Sequence, residues 1–120
     1  MTRTLEEIRA RLFQMRDEDY RAFHSKLMPT VDPETVIGVR VPQLRAFARE
    51  LAGTDREAAF LRALPHGCYE ENNLHALLIS SMRGYEQTVA ALNVFLPYVD
   101  NWATCDLISP RAFQKRPDAL

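Results

Sequence analysis

Apolar residues recur along most of this chain at the three-and-four spacing of an α-helix. Leu5, Ile8, Leu12 and Met15 form a first stripe behind Thr4, a residue suited to an N-cap. Tyr20, Phe23, Leu27 and Met28 form a second, after Asp17-Glu18-Asp19, whose acids favour the positive end of a helix dipole. Pro29 and Pro33 then interrupt the pattern. Leu44, Phe47, Ala48 and Leu51 make a third stripe, with Pro42 in its first turn and Gly53 beyond its end. The spacing predicts a short helix over about Asp55 to Leu64, stopped before Pro65. A longer one runs from about Tyr69 to Met82, with Leu74, Leu77 and Leu78 inward and Gly84 after it. Another covers about Tyr85 to Leu96, ahead of Pro97, and a last one starts near Asp100 and stops before Pro110.

The β-branched run Val36-Ile37-Gly38-Val39-Arg40-Val41 has the composition of a strand. No partner strand is predicted elsewhere, so it reads as an extended connector. The expected fold is therefore all-α, with roughly seven helices joined by short turns containing Pro or Gly. A weak internal echo relates Phe60-Leu61 to Phe95-Leu96, each followed by a Leu- or Ile-rich helix. That interval suits antiparallel helix pairs stacked into a HEAT- or armadillo-like α-solenoid, with an ordinary helical bundle as the alternative. Residues 1–120 read as one helical-repeat domain. Arg111 to Leu120 begins a further amphipathic unit without a polar cap. The expectation is the N-terminal half of a longer superhelix.

Composition narrows the function. With 47% hydrophobic and 26% charged residues the chain has the make-up of a globular domain. A formal net charge of −1 means that any nucleic-acid role must rest on local charge. No apolar run approaches the ~18 residues of a membrane span, and the N-terminus lacks a signal peptide's apolar core, so a membrane partner is not expected. Cys68 and Cys105 make no disulfide framework, and the expected setting is a reducing cytoplasm.

Several groups of residues could carry chemistry. Trp102 and Asp106 stand four apart, on one face of the last helix. An indole face and a carboxylate presented together can grip a cation; the plainer reading is a half-buried Trp with an acid near a helix start. Arg45 and Arg49, also four apart, flank the third apolar stripe, and Arg40 stands just before it. They are candidates for holding phosphate, against the alternative of a solvated face with i,i+4 ion pairs. Arg111 and Lys115 form a second basic cluster, which a charged helix end would also explain. In Glu70-Glu71-Asn72-Asn73-Leu74-His75 the acids suit a helix start, Glu71 and His75 are spaced to pair, and the asparagines are placed to hydrogen-bond a neighbouring turn. His66, Cys68 and His75 lack the spacing of a zinc site, so no metal is expected. Cys105 has no histidine near it in sequence to activate it, and no phosphate-binding glycine loop is present.

Three ordered stretches resemble one family. Ser25 to Pro33 followed by Ile37 to Arg45, then Tyr69 to Ala76, then Tyr98 to Asp106, look like the DNA alkylation repair proteins of the AlkD-like group. The resemblance spans nearly the whole chain. It implies a superhelix of HEAT-like repeats that removes cationic N3- or N7-alkylated purines from duplex DNA, without cofactor or metal. It also implies that Trp102 and Asp106 are the functional Trp and Asp. On this reading Asp106 stabilises the oxocarbenium-like transition state and Trp102 faces the cationic sugar or base. Arg40, Arg45, Arg49, Arg111 and Lys115 hold DNA phosphates. The 120-residue piece alone is expected to be inactive or weak. The competing reading is a non-catalytic helical-repeat scaffold that binds protein or nucleic acid.

Overall fold

The computed structural model describes residues 3–27 and 31–99, together with 104, 107 and 108. Among them are six α-helices: α1 (Arg3–Gln14), α2 (Glu18–Leu27), α3 (Val41–Leu51), α4 (Asp55–Leu61), α5 (Tyr69–Ser80) and α6 (Tyr85–Phe95). Short 3-10 turns occupy Pro33–Thr35 and Leu96–Tyr98. No strand occurs among the described residues. The all-α expectation holds, and the fold is consistent with a helical repeat. Residues 104 and 107 are helical as well, within the segment predicted to form the last helix.

Helix ends follow local chemistry. Gly53 takes φ +81° after α3, a conformation that costs glycine little. The Thr54 hydroxyl then accepts the Glu57 N–H and caps α4. The Leu-rich pattern over Tyr85 to Leu96 gives an α-helix only to Phe95, because the chain tightens to 3-10 geometry around Pro97. Thr4 lies within helix α1 rather than at its cap.

Helix α5 is the axis of the molecule. It is buried on nearly every side, from Tyr69 to Ile79 with Asn72 the sole half-exposed position. Helix α3 packs along it, α4 and α6 flank it, and α1 closes over α4. One core joins Ile8 and Leu12 of α1, Leu44, Phe47 and Leu51 of α3, Phe60 of α4, and Leu74 and Leu78 of α5. A second joins Ala76 and Ile79 of α5 to Leu92 and Phe95 of α6. The stripe predicted for α2 departs from this pattern: Phe23 is 64% exposed, while Tyr20 and His24 stack on each other at 5.4 Å. Helix α2 turns its aromatic–imidazole side inward, where the His24 ring nitrogen Nε2 and the Tyr69 hydroxyl are 2.8 Å apart.

The Val36–Val41 connector shows why a strand-like sequence needs no sheet here. Val36, Ile37 and Val39 are buried, so their backbone N–H groups require partners. The Glu70 carboxylate, 1% exposed, provides them. It accepts from Ile37 N–H at 2.8 Å, Gly38 N–H at 2.8 Å and Val39 N–H at 3.2 Å. One side chain thus stands in for the edge of a neighbouring strand. Gly38 has φ +98°, and a Cβ there would lie 2.7 Å from the Arg21 Cβ and 2.8 Å from the Asp17 carbonyl. Glycine is required on both counts.

Candidate nucleic-acid interface

Helix α3 is strongly two-faced. Leu44, Phe47, Ala48 and Leu51 enter the core, which leaves Arg45 and Arg49 on the exposed side, one turn apart. Beside them runs an open groove of about 870 Å³. One wall is Arg45, Ala48 and Arg49 of α3 with Ala52 just past its end. The other is the end of α5 and the following turn, from Ser80 to Arg83, with Gln87 of α6. Leu77 and Leu107 also line it. The short side chains of Ala48, Ala52, Ser80 and Ser81 leave space between the walls. Three guanidinium groups (Arg45, Arg49, Arg83) against one carboxylate (Glu57) leave the described lining at +2. Burial raises the Glu57 carboxyl above its usual range, opposed by a hydrogen bond from the Gly53 backbone.

The pairing state of the arginines sets this groove apart from most of the surface, although Arg56 and Arg62, which do not line it, also make no ion pair among the described residues. Arg9 pairs with Glu71 at 3.0 Å and Arg11 with Glu50 at 2.9 Å. Arg16 pairs with Glu18, and Arg21 donates to the Val36 carbonyl at 2.7 Å. Arg40, expected to hold phosphate, bonds Asp17 at 3.2 Å and lies over the Tyr20 ring at 4.8 Å. It is thus outside the groove. None of Arg45, Arg49 and Arg83 makes an ion pair among the described residues. The i,i+4 ion-pair explanation of Arg45 and Arg49 is therefore not what the fold shows.

Two side chains of α5 hold the segment that carries the Trp–Asp motif. The Thr104 hydroxyl donates to Asn73 Oδ1 at 2.5 Å, and both residues are buried. The Ser80 hydroxyl, which also donates to the Ala76 carbonyl, is 3.2 Å from the Leu107 carbonyl. The asparagines do not bond a neighbouring turn as expected: Asn73 bonds the hydroxyl of helical Thr104, and Asn72 Oδ1 is buried without a partner among the described residues. Trp102, Asp106, Arg111 and Lys115 lie outside the described residues, as does Cys105.

The remaining polar residues at the start of α5 are structural. Glu71 does not pair with His75. Its carboxylate accepts from Arg9 and, at 3.0 Å, from Cys68 N–H, which closes the first turn. The ring nitrogens His75 Nδ1 and His66 Nε2 lie 2.9 Å apart, inside a column of rings. Phe60 stacks on His66 with centroids 4.3 Å apart, and Phe95 on His75 at 4.2 Å. Burial in this column lowers His66 to about 4 and His75 to about 3, so both are neutral near pH 7. Burial, reinforced by Glu71, pushes the Cys68 thiol up to about 12, so it is not an activated nucleophile.

Arg83 is the groove residue that sequence reasoning missed. It stands alone between a helix end and Gly84, with no basic residue a turn away to mark a cluster. Its neighbourhood to Arg45 and Arg49 arises only because α3 lies along α5.

Comparison with known proteins supplies the context for this basic groove. No curated protein and no solved structure matches the chain. The family model described as DNA alkylation repair enzyme matches residues 8–116, and the chain belongs to that family.

Proposed function

We propose that the protein is a DNA N-glycosylase that releases cationic N3- or N7-alkylated purines, with Asp106 and Trp102 at the reacting sugar. The observation that carries this reading is the groove itself. Arg45, Arg49 and Arg83, which make no ion pair among the described residues, line it together with Leu107, the chain neighbour of Asp106. Family membership supports DNA repair as the setting.

The chemistry asks little of the protein beyond charge placement. A purine alkylated at N3 or N7 is already positive, so it departs as a neutral base without a strong general acid. The sugar becomes oxocarbenium-like as the bond breaks. A carboxylate at Asp106 stabilises that positive charge and orients water onto the anomeric carbon. The Trp102 ring offers its negative face to the same cationic centre. Arg45 and Arg49 hold the phosphate backbone in register, and Arg111 and Lys115 extend that contact.

The test is release of free 7-methylguanine from duplex DNA by the full-length protein. Asp106→Asn, with an unchanged circular-dichroism spectrum, is expected to lower release by about 100-fold, as removal of one electrostatic group typically does. Equal release by wild type and variant removes Asp106 from the mechanism.

A further inference from the structure

We propose that Arg83 is a third phosphate-binding residue, gripping the DNA backbone from the groove wall that faces Arg45 and Arg49. The inference rests on the reading of the groove as the DNA interface and adds a contact from a separate helical unit. Arg45 and Arg49 project from α3, whereas Arg83 comes from the turn between α5 and α6. All three are exposed and line one cavity.

Three features favour a polyanionic strand over an isolated anion. The groove, at about 870 Å³, is far larger than one phosphate requires. Its cations come from two separate elements, so they can meet successive phosphates rather than converge on one. Short side chains lie beside the arginines, Ala48 and Ala52 on one wall and Ser80 and Ser81 on the other, among bulkier ones such as Leu77 and Met82. They leave room for a sugar–phosphate chain along the trough. Arg62 supplies an internal contrast. It is exposed and also makes no ion pair among the described residues, but it lies outside the groove, beside Leu64 and Tyr98.

Affinity for a labelled, undamaged duplex is measured by fluorescence anisotropy between about 50 and 200 mM salt for wild type, R45Q, R49Q, R83Q and R62Q. Each lost phosphate contact is expected to reduce the slope of log K against log salt by about 0.9. R83Q is expected to show that reduction, as R45Q and R49Q do, and equally for duplexes of different sequence. R62Q is expected to keep the wild-type slope. A wild-type slope for R83Q beside reduced slopes for R45Q and R49Q overturns the role of Arg83 and leaves the groove as the interface. A reduced slope for R83Q alone overturns the two-walled grip. Unchanged slopes for all three remove the groove from DNA binding, and with it the binding half of the proposed function.

Discussion

Two sets of arginines occupy this small domain, and they differ in what lies within reach. Arg9, Arg11, Arg16 and Arg40 each meet a carboxylate. Arg9 and Arg11 tie α1 to α5 and α3, Arg16 pairs with the first residue of α2, and Arg40 ties the connector to the turn before α2. Arg45, Arg49 and Arg83 meet none among the described residues and share a groove with a single acid, Glu57. A paired guanidinium is a structural element whose charge is cancelled locally. An unpaired one beside an open trough keeps its field available to a polyanion. The net charge of −1 hides this division, because it sums both sets of arginines with every acid of the chain.

The strongest way to break the comparison is to remove an acid from the structural side. Glu70 accepts three buried N–H groups of the connector. Glu70→Ala leaves those donors unsatisfied in the core and is expected to destabilise the fold by about 3–5 kcal/mol. Urea denaturation reads the change. A loss below about 1 kcal/mol means that water or a shifted backbone satisfies the connector, and that the carboxylate is not its organising element.

Acid separates the two regions by a different route. His66 and His75 have folded pKa values of about 4 and about 3, against an ordinary 6.5. Between those limits the unfolded chain binds more protons than the folded one, so stability falls as pH is lowered from 6.5 toward 4. Each ring contributes at most about 1.4 kcal/mol per pH unit, and His66, which is only partly covered, contributes less. Glu71 and Arg9 act on His66 in opposite directions, Glu71 raising it and Arg9 lowering it. The groove behaves otherwise, since guanidinium groups keep their charge throughout this range. Its one carboxyl among the described residues, Glu57, is shifted upward, so acid removes that opposing negative charge early. The urea midpoint is therefore expected to be lower at pH 5 than at pH 7, while DNA affinity per folded molecule holds or rises. A flat stability profile indicates that the histidine pair is hydrated.

Sequence periodicity located every described α-helix because each carries one apolar stripe or a clear stop, as α3 does with Pro42 and Gly53. It could not show that α5 is buried on all sides. Glu70 and Glu71 look like ordinary first-turn acids, and only their distant partners, the connector N–H groups and Arg9, reveal a buried role. The same blindness to distance affected the site. Arg45 and Arg49 were legible as neighbours on one helix. Arg40 looked equivalent, yet Asp17, 23 residues away, claims it. Arg83 carried no local signal at all. Helix-scale patterns are local physics, whereas pairing is set by tertiary packing.

The smallest expected effect gives the finest test of that division. Arg11 and Glu50 join α1 to α3 at 2.9 Å, with side chains 42% and 48% exposed. Exposed pairs of this kind are worth about 0.2–1 kcal/mol, because water screens them and both side chains lose freedom. Arg11 also lies over the Phe47 ring at 4.8 Å, a contact that survives removal of Glu50 but not of Arg11. A double-mutant cycle on Arg11→Met and Glu50→Gln is thus expected to return a coupling of about 0.5 kcal/mol, with Arg11→Met the costlier single change. Arg45→Gln and Arg49→Gln, which break no ion pair, are expected to leave stability within about 0.5 kcal/mol of wild type while weakening DNA binding. If instead the groove arginines prove as costly to stability as Arg11, their charge is engaged within the fold. The distinction between paired scaffold and available groove then fails at the residues on which it was drawn.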